Sequence, residues 1–184
     1  MHTLKVGRKL VGEERREAIV QQLKNDKTPI TGSELAKFSN VSRQVIVSDI
    51  TILKAQNEPI IATSQGYIYM PTITADEIYE KTIACCHTPE QASDELKLLV
   101  DQGVTVKDVI IEHAIYGELT ASIMVSNRKE VDQFIRKVKD TNASYLSELT
   151  NGIHLHTLTA TSEDVLIKAE KALKQAGFLI EEKD

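Results

Sequence analysis

The chain has 184 residues, with 22 Lys+Arg against 27 Asp+Glu, 41% hydrophobic residues, 4% aromatic ones and no Trp, enough to bury one large core or two small ones. Its longest apolar runs are short, as in Val109-Ile110-Ile111, and Met1-His2-Thr3-Leu4-Lys5 does not read as a secretory signal; membrane spans are therefore excluded and the cytoplasm is the expected compartment. Cys85 and Cys86 are neighbours, too close for an ordinary stapling disulfide and not spaced as a CxxC pair, which fits a reducing environment.

The net charge of −5 conceals an asymmetry: residues 1–70 hold ten Lys+Arg against seven Asp+Glu, net +3, and the remainder is net −8. A basic head on an acidic body suits a polyanion-binding module carried by a sensing or oligomerising one. His2 reads as part of a mobile terminus. In the head, Ala18, Ile19, Val20 and Leu23 among charges predict an amphipathic helix over 13–25, and Lys27-Thr28-Pro29 breaks it. Thr31-Gly-Ser-Glu34 is a capping box opening a second helix to about Phe38. Ser39-Asn40-Val41 is a tight turn, and Ser42 caps a third helix reaching about Gln56. Three helices with that turn form a helix-turn-helix.

In the third helix Ile46, Ile50 and Leu53 form the inward stripe, with Val45 and Ile52 beside it. Ser42, Arg43, Gln44, Val47, Ser48, Thr51 and Lys54 make up the N-cap and opposite arc, the candidate DNA-reading surface. Arg43 and Gln44 suit bidentate contacts with G and A in the major groove. Asp49 falls on the inner arc and is expected to pair with a first-helix Arg. Ile60 to Thr63 and Tyr67 to Met70 flank Ser64-Gln65-Gly66, a hairpin expected as the wing. Residues 1–71 thus read as a winged helix-turn-helix that binds double-stranded operator DNA; the bland reading is a protein-interaction module of the same shape.

Beyond Pro71 strands alternate with helices: a strand over 81–86, a helix opened by Thr88-Pro89-Glu90-Gln91 and ending near Gly103, strands over 104–112 and 118–125, a helix over 127–141, a strand over 152–160 and a helix over 163–176 closed by Gly177. A short Phe178-Leu179-Ile180 follows. The pattern βαββαβ with an extra helix predicts an α+β chain whose second domain, 72–184, is a ferredoxin-like split βαβ, related also to ACT-type sensor domains. With the sheet order usual for that fold, 4-1-3-2, the end of the first strand meets the start of the last. His87 ends the first, and His154 and His156, two apart, face one side at the start of the last. Glu95 flanks the buried stripe Ala92, Leu96, Leu99 and Val100, and a core-directed carboxylate needs a charge partner. His87, Glu95, His154 and His156 are the candidate ligands of one divalent transition metal, Zn, Ni, Co or Fe. The alternative for each histidine alone is a satisfied polar residue. Cys85 points to the side of His87, from which it could approach the ion, but reads as a buried strand thiol. His113 is expected at the opposite end of the sheet, outside the metal shell, lining at most a ligand pocket across a dimer interface.

Thr31-Gly-Ser-Glu-Leu-Ala and Val41-Ser-Arg-Gln-Val-Ile-Val-Ser-Asp-Ile, followed by His87-Thr-Pro-Glu-Gln, Glu112-His-Ala-Ile-Tyr-Gly and Gly152-Ile-His-Leu-His, resemble the niacin-responsive repressors with a three-histidine (3H) domain, over nearly the whole chain. The resemblance implies a bacterial repressor of NAD-biosynthesis or niacin-uptake genes, dimeric, with nicotinic acid as co-repressor. It places that family's metal ligands on His87, Glu95, His154 and His156 and its third histidine motif on His113, with Tyr116 as a second effector-site candidate. Ala114 stands where that motif is expected to carry Pro. Nicotinate completing the coordination sphere would order a dimer with two recognition helices about one turn of DNA apart. The rivals are a metal-dependent hydrolase, since an open histidine site can activate water, and a repressor sensing another metabolite beside a structural metal.

Overall fold

The computed structural model describes residues 12–26, 28–70 and 78–180; His2, Lys27 of the expected helix break and the boundary at Pro71 lie outside them. The chain folds as two units, Met1–Thr74 and Ala75–Asp184.

The first unit is built from α1 (Gly12–Asn25), α2 (Gly32–Ser39), α3 (Arg43–Ala55), β1 (Ile60–Ala62) and β2 (Tyr67–Tyr69). The capping box is formed: the Glu34 amide donates to Thr31 Oγ1 at 3.2 Å and the Thr31 amide to Glu34 Oε2 at 2.8 Å. Asn40, in the left-handed region at φ 52°, turns the chain, and the Ser42 side chain caps α3 by accepting from the Val45 amide. Ile19, Leu23, Leu35, Ile46, Ile50, Leu53 and Ile60 fill the core. Ile52 is exposed rather than beside the stripe: at 100° per residue it sits about 160° from Ile50, on the solvent arc. β1 and β2 pair antiparallel as the expected wing, tied to the α1–α2 connection by reciprocal amide bonds between Ile30 and Tyr67, 2.8 Å each. Gly66 permits this, since a Cβ there would stand 2.5 Å from the Ile30 carbonyl oxygen.

The second unit comprises β3 (Tyr79–Cys86), a 3-10 turn Pro89–Gln91, α4 (Ala92–Asp101), β4 (Thr105–His113), β5 (Gly117–Val125), α5 (Arg128–Thr141), a 3-10 turn Leu146–Thr150, β6 (Ile153–Ala160) and α6 (Glu163–Ala176). Ile83, Cys85, Val106, Ile123, Val125 and Leu158 pack under Leu96 and Leu99 of α4, Val131 and Ile135 of α5, and Leu166 and Leu173 of α6. The interleaved split βαβ expected from the sequence is present, but its strand order is not. The sheet runs β3-β6-β4-β5, first-fourth-second-third among the domain's strands rather than 4-1-3-2. The two inner strands are β6 and β4, whose buried positions span their length, whereas β3 and β5 each carry an exposed polar half (Glu80 and Thr82; Glu118 and Thr120) that an edge tolerates. First and last strands are neighbours in either order, and here they pair antiparallel with Cys85 opposite His154 and Cys86 opposite Ile153. The tail after α6 extends this edge, with Cys86 N–H donating to Phe178 O and Ile180 N–H to Ala84 O.

Candidate functional site

On the first unit, Ser42, Arg43, Gln44, Ser48, Thr51 and Lys54 are all exposed, and Val47 is half-buried at the floor of their arc. Arg43 and Gln44 stand in the first turn of α3, where a recognition helix meets base edges. The Thr51 hydroxyl donates to the Val47 carbonyl at 2.8 Å, leaving its lone pairs outward. The helix is held from behind: Arg15 Nε donates to Asp49 Oδ2 at 2.6 Å and Arg15 Nη2 to Oδ1 at 3.1 Å, with Arg16 Nη1 3.6 Å away. This is the pairing expected for Asp49.

The second unit gathers four buried polar side chains. His87, just past the end of β3, places Nε2 2.7 Å from Glu95 Oε2; His156 Nε2 lies 3.2 Å and His154 Nε2 3.4 Å from the same oxygen. All four residues are buried. The rings of His87 and His154, and of His154 and His156, meet edge to face with centroids 4.8 and 4.7 Å apart. The convergence expected from strand ends and two-residue spacing is therefore realised.

The other ring nitrogens fix the chemistry. His87 Nδ1 is 2.8 Å from Thr88 O, His154 Nδ1 2.8 Å from Gly152 O, and His156 Nδ1 2.6 Å from Asp108 O. A backbone carbonyl only accepts, so each Nδ1 carries a proton and each neutral imidazole turns a lone pair at Nε2 toward the carboxylate. Three lone pairs facing a fourth acceptor repel unless positive charge stands among them. Backbone-anchored Nδ1–H with a free Nε2 is also how protein histidines are oriented as metal ligands. Without an ion, protons serve. Burial opposes ionisation of both partners, yet contact with Glu95 holds His87 and His156 above the usual imidazole range, and His156 together with hydrogen bonds from the three rings holds Glu95 well below the carboxylate range.

Each imidazole–carboxylate pair has the spacing of two ligands on one divalent ion, while the ligand atoms that all lie within 4.8 Å of one another are those of Cys85, Glu95 and His154. Neighbouring ligands of a metal with bonds near 2.1 Å stand about 3.0 Å apart in an octahedron and about 3.4 Å in a tetrahedron, close to the 2.7, 3.2 and 3.4 Å found around Glu95 Oε2. Glu95 Oε1 is buried with no hydrogen-bond partner, an orphan that a cation would satisfy.

His113 needs a correction. Ile110 pairs with Leu155 across antiparallel β4 and β6, so the C-terminal end of β4 lies beside the start of β6, at the same end of the sheet as the cluster and not the opposite one. Strand direction alone dictates this, because β3 and β4 both run antiparallel to β6. Its chemistry still differs from that of the other three: His113 Nδ1 accepts from the Ile115 and Tyr116 amides at 3.2 and 3.3 Å, and its ring lies 5.0 Å from that of Tyr116.

Sequence reasoning missed two supports. Gly152 adopts φ +90°, and a Cβ there would stand 2.2 Å from the His87 carbonyl oxygen; this close approach brings β3 and β6 together at the site. A glycine immediately before a strand bearing His-x-His is the signal that could have revealed it. Phe178 backs the His87 ring edge to face at 5.6 Å, and only the tail's return to β3 places it there.

A winged helix with an exposed reading arc, joined to an α+β unit with a buried histidine cluster, defines a DNA-binding transcription regulator with a separate accessory domain. An HTH domain matches residues 15–68 and a 3H domain residues 80–182. The chain belongs to the NadR/NiaR-type family of transcription repressors. It is 57% identical over 175 residues to transcription repressor NadR of Bacillus subtilis (strain 168), covering 95% of this chain and 97% of that one. It is 38% identical over 174 residues to probable transcription repressor NiaR of Thermotoga maritima, covering 95% and 98%. An uncharacterized protein of Methanothermus fervidus is 32% identical over 110 residues, 17% of its own length. The chain is thus a DNA-binding transcriptional repressor. Among the described residues no helix is long and apolar enough to cross a membrane.

Proposed function

We propose that this repressor senses nicotinic acid as its co-repressor through a divalent transition metal, Zn, Ni, Co or Fe, held by His87, Glu95, His154 and His156, and acts as a homodimer on operators of NAD-biosynthesis or niacin-uptake genes. The observation that carries the reading is the set of buried imidazoles, each locked by Nδ1–H to a backbone carbonyl with Nε2 turned on one carboxylate oxygen. A bound ion would supply a Lewis-acidic point for nicotinate, itself a nitrogen and oxygen donor. The protein residues do the rest. The Glu95 carboxylate offsets positive charge, and burial keeps competing water away. His113 and Tyr116, at the same end of the sheet, offer an aromatic surface for a pyridine ring. Ile115, Tyr116, Leu149 and Ile153 are exposed apolar side chains at that end, an arrangement that suits burial against a second copy. Effector binding favours repression only as far as it is tighter to the DNA-competent dimer.

The test is a fluorescence-anisotropy titration of operator duplex with metal-loaded protein, with and without nicotinic acid. At least a tenfold gain in affinity, about 1.4 kcal/mol, is expected; equal affinity removes co-repression.

A further inference from the structure

The geometry points to Cys85 as a further donor to the ion, giving this chain's site a thiolate beside its imidazoles and carboxylate. The inference rests on the metal reading above. Cys85 precedes His87 by two residues and lies opposite His154 in the β3–β6 register. It is fully buried, whereas its neighbour Cys86 is exposed on the other face. Its Sγ and one ligand atom each of Glu95 and His154 all lie within 4.8 Å of one another. Glu95 Oε1 is buried with no hydrogen-bond partner at ordinary distance, and the Cys85 thiol, pushed up by burial and by the Glu95 charge, turns its proton toward that carboxylate, the place an ion would take between them.

Adjacent sulfur and nitrogen ligands, with bonds near 2.3 and 2.1 Å, stand about 3.6 Å apart in a tetrahedral site. The Cys85, Glu95 and His154 atoms, all within 4.8 Å of one another, are therefore at most about 1.2 Å beyond that spacing. On coordination the S–H bond breaks, a sulfur–metal bond forms, and one proton leaves to solvent. A thiolate shifts the preference of the site toward softer ions than imidazole and carboxylate alone would select. A buried thiol that merely fills space would do none of this.

The experiment uses the full chain, stripped with a chelator and titrated with Co²⁺, reading stoichiometry together with the intense near-ultraviolet sulfur-to-cobalt charge-transfer band. Wild type and Cys86→Ser are expected to bind one Co²⁺ with the band. Since the sequence has only two cysteines, the band in Cys86→Ser identifies Cys85 without any change at the site. Cys85→Ser and Cys85→Val are expected to take up Co²⁺ at least tenfold more weakly, without the band and with one proton fewer released per ion. Co²⁺ bound to wild type or Cys86→Ser without the band overturns the role of Cys85 and leaves the metal reading intact; failure of wild type to bind the ion overturns both.

Discussion

Replacing Asp49 by Ala tests how the recognition helix is held. Asp49 is almost fully buried, its side chain 3% exposed, and receives two bonds from Arg15, 2.6 and 3.1 Å, whose side chain is 12% exposed. Removing one member of a buried, hydrogen-bonded ion pair costs about 3–5 kcal/mol, because the remaining charge is left desolvated. Arg15, and Arg16 at 22% side-chain exposure, recover some hydration at the surface, which lowers the expectation to about 2–3 kcal/mol. For a unit of this size that is a fall of roughly 10–20 °C in Tm. Asp49→Asn keeps the shape and one acceptor, so about half that loss is expected. Asp49→Leu combined with Arg15→Met should recover most of it, since an apolar pair of similar volume removes the desolvation penalty. Urea unfolding of the full chain followed by helical circular dichroism reads the effect in the transition of the first unit. A change below about 0.5 kcal/mol in Asp49→Ala would refute the reasoning.

Arg43→Ala should weaken operator binding by about 1–3 kcal/mol and relax preference at one base pair, whereas Lys54→Ala should weaken binding to all sequences and lower the salt slope by about 1, both measured by salt-titrated anisotropy. Gly152→Ala should abolish metal uptake and lower the melting temperature of the second unit, because a Cβ would stand 2.2 Å from the His87 carbonyl oxygen; a loss of at least about 2 kcal/mol follows from the left-handed backbone and the clash. Metal occupancy, followed by equilibrium dialysis, should fall as pH drops, beginning above the ordinary imidazole range, because Glu95 favours the protonated forms of His87 and His156 and protons compete for their Nε2 lone pairs; occupancy independent of pH from 8 to 5 would count against imidazole ligation. His113→Ala should leave metal stoichiometry unchanged, since the ring nitrogens facing Glu95 Oε2 are those of His87, His154 and His156 and the His113 ring lies against Tyr116 instead.

Features set by short-range chemistry were legible in the sequence. Thr31 with Glu34, Ser42, Gly177 and the alternation of His154 with His156 each act within a few residues, so the helices, the wing and the shared face of the histidines could be inferred. The meeting of His87 with His154 needed only that first and last strands be neighbours. Features that depend on competition between distant segments were not legible. Which strands take the centre of the sheet depends on how much of β6 and β4 is buried compared with β3 and β5, and nothing local to any one strand settles that. The misplaced end for His113 is different in kind, because strand direction was already implied by the alternating pattern. Gly152 and Phe178 act only through contacts with His87, brought together by the folded chain.

The central claim, that the buried histidines and Glu95 are a metal site, is tested most directly by elemental analysis of the purified full chain after incubation with Zn²⁺ and removal of unbound ion. The account predicts one ion per chain in the wild type and none in His154→Ala/His156→Ala. A metal-free wild type, or one ion retained by the double variant, would contradict it.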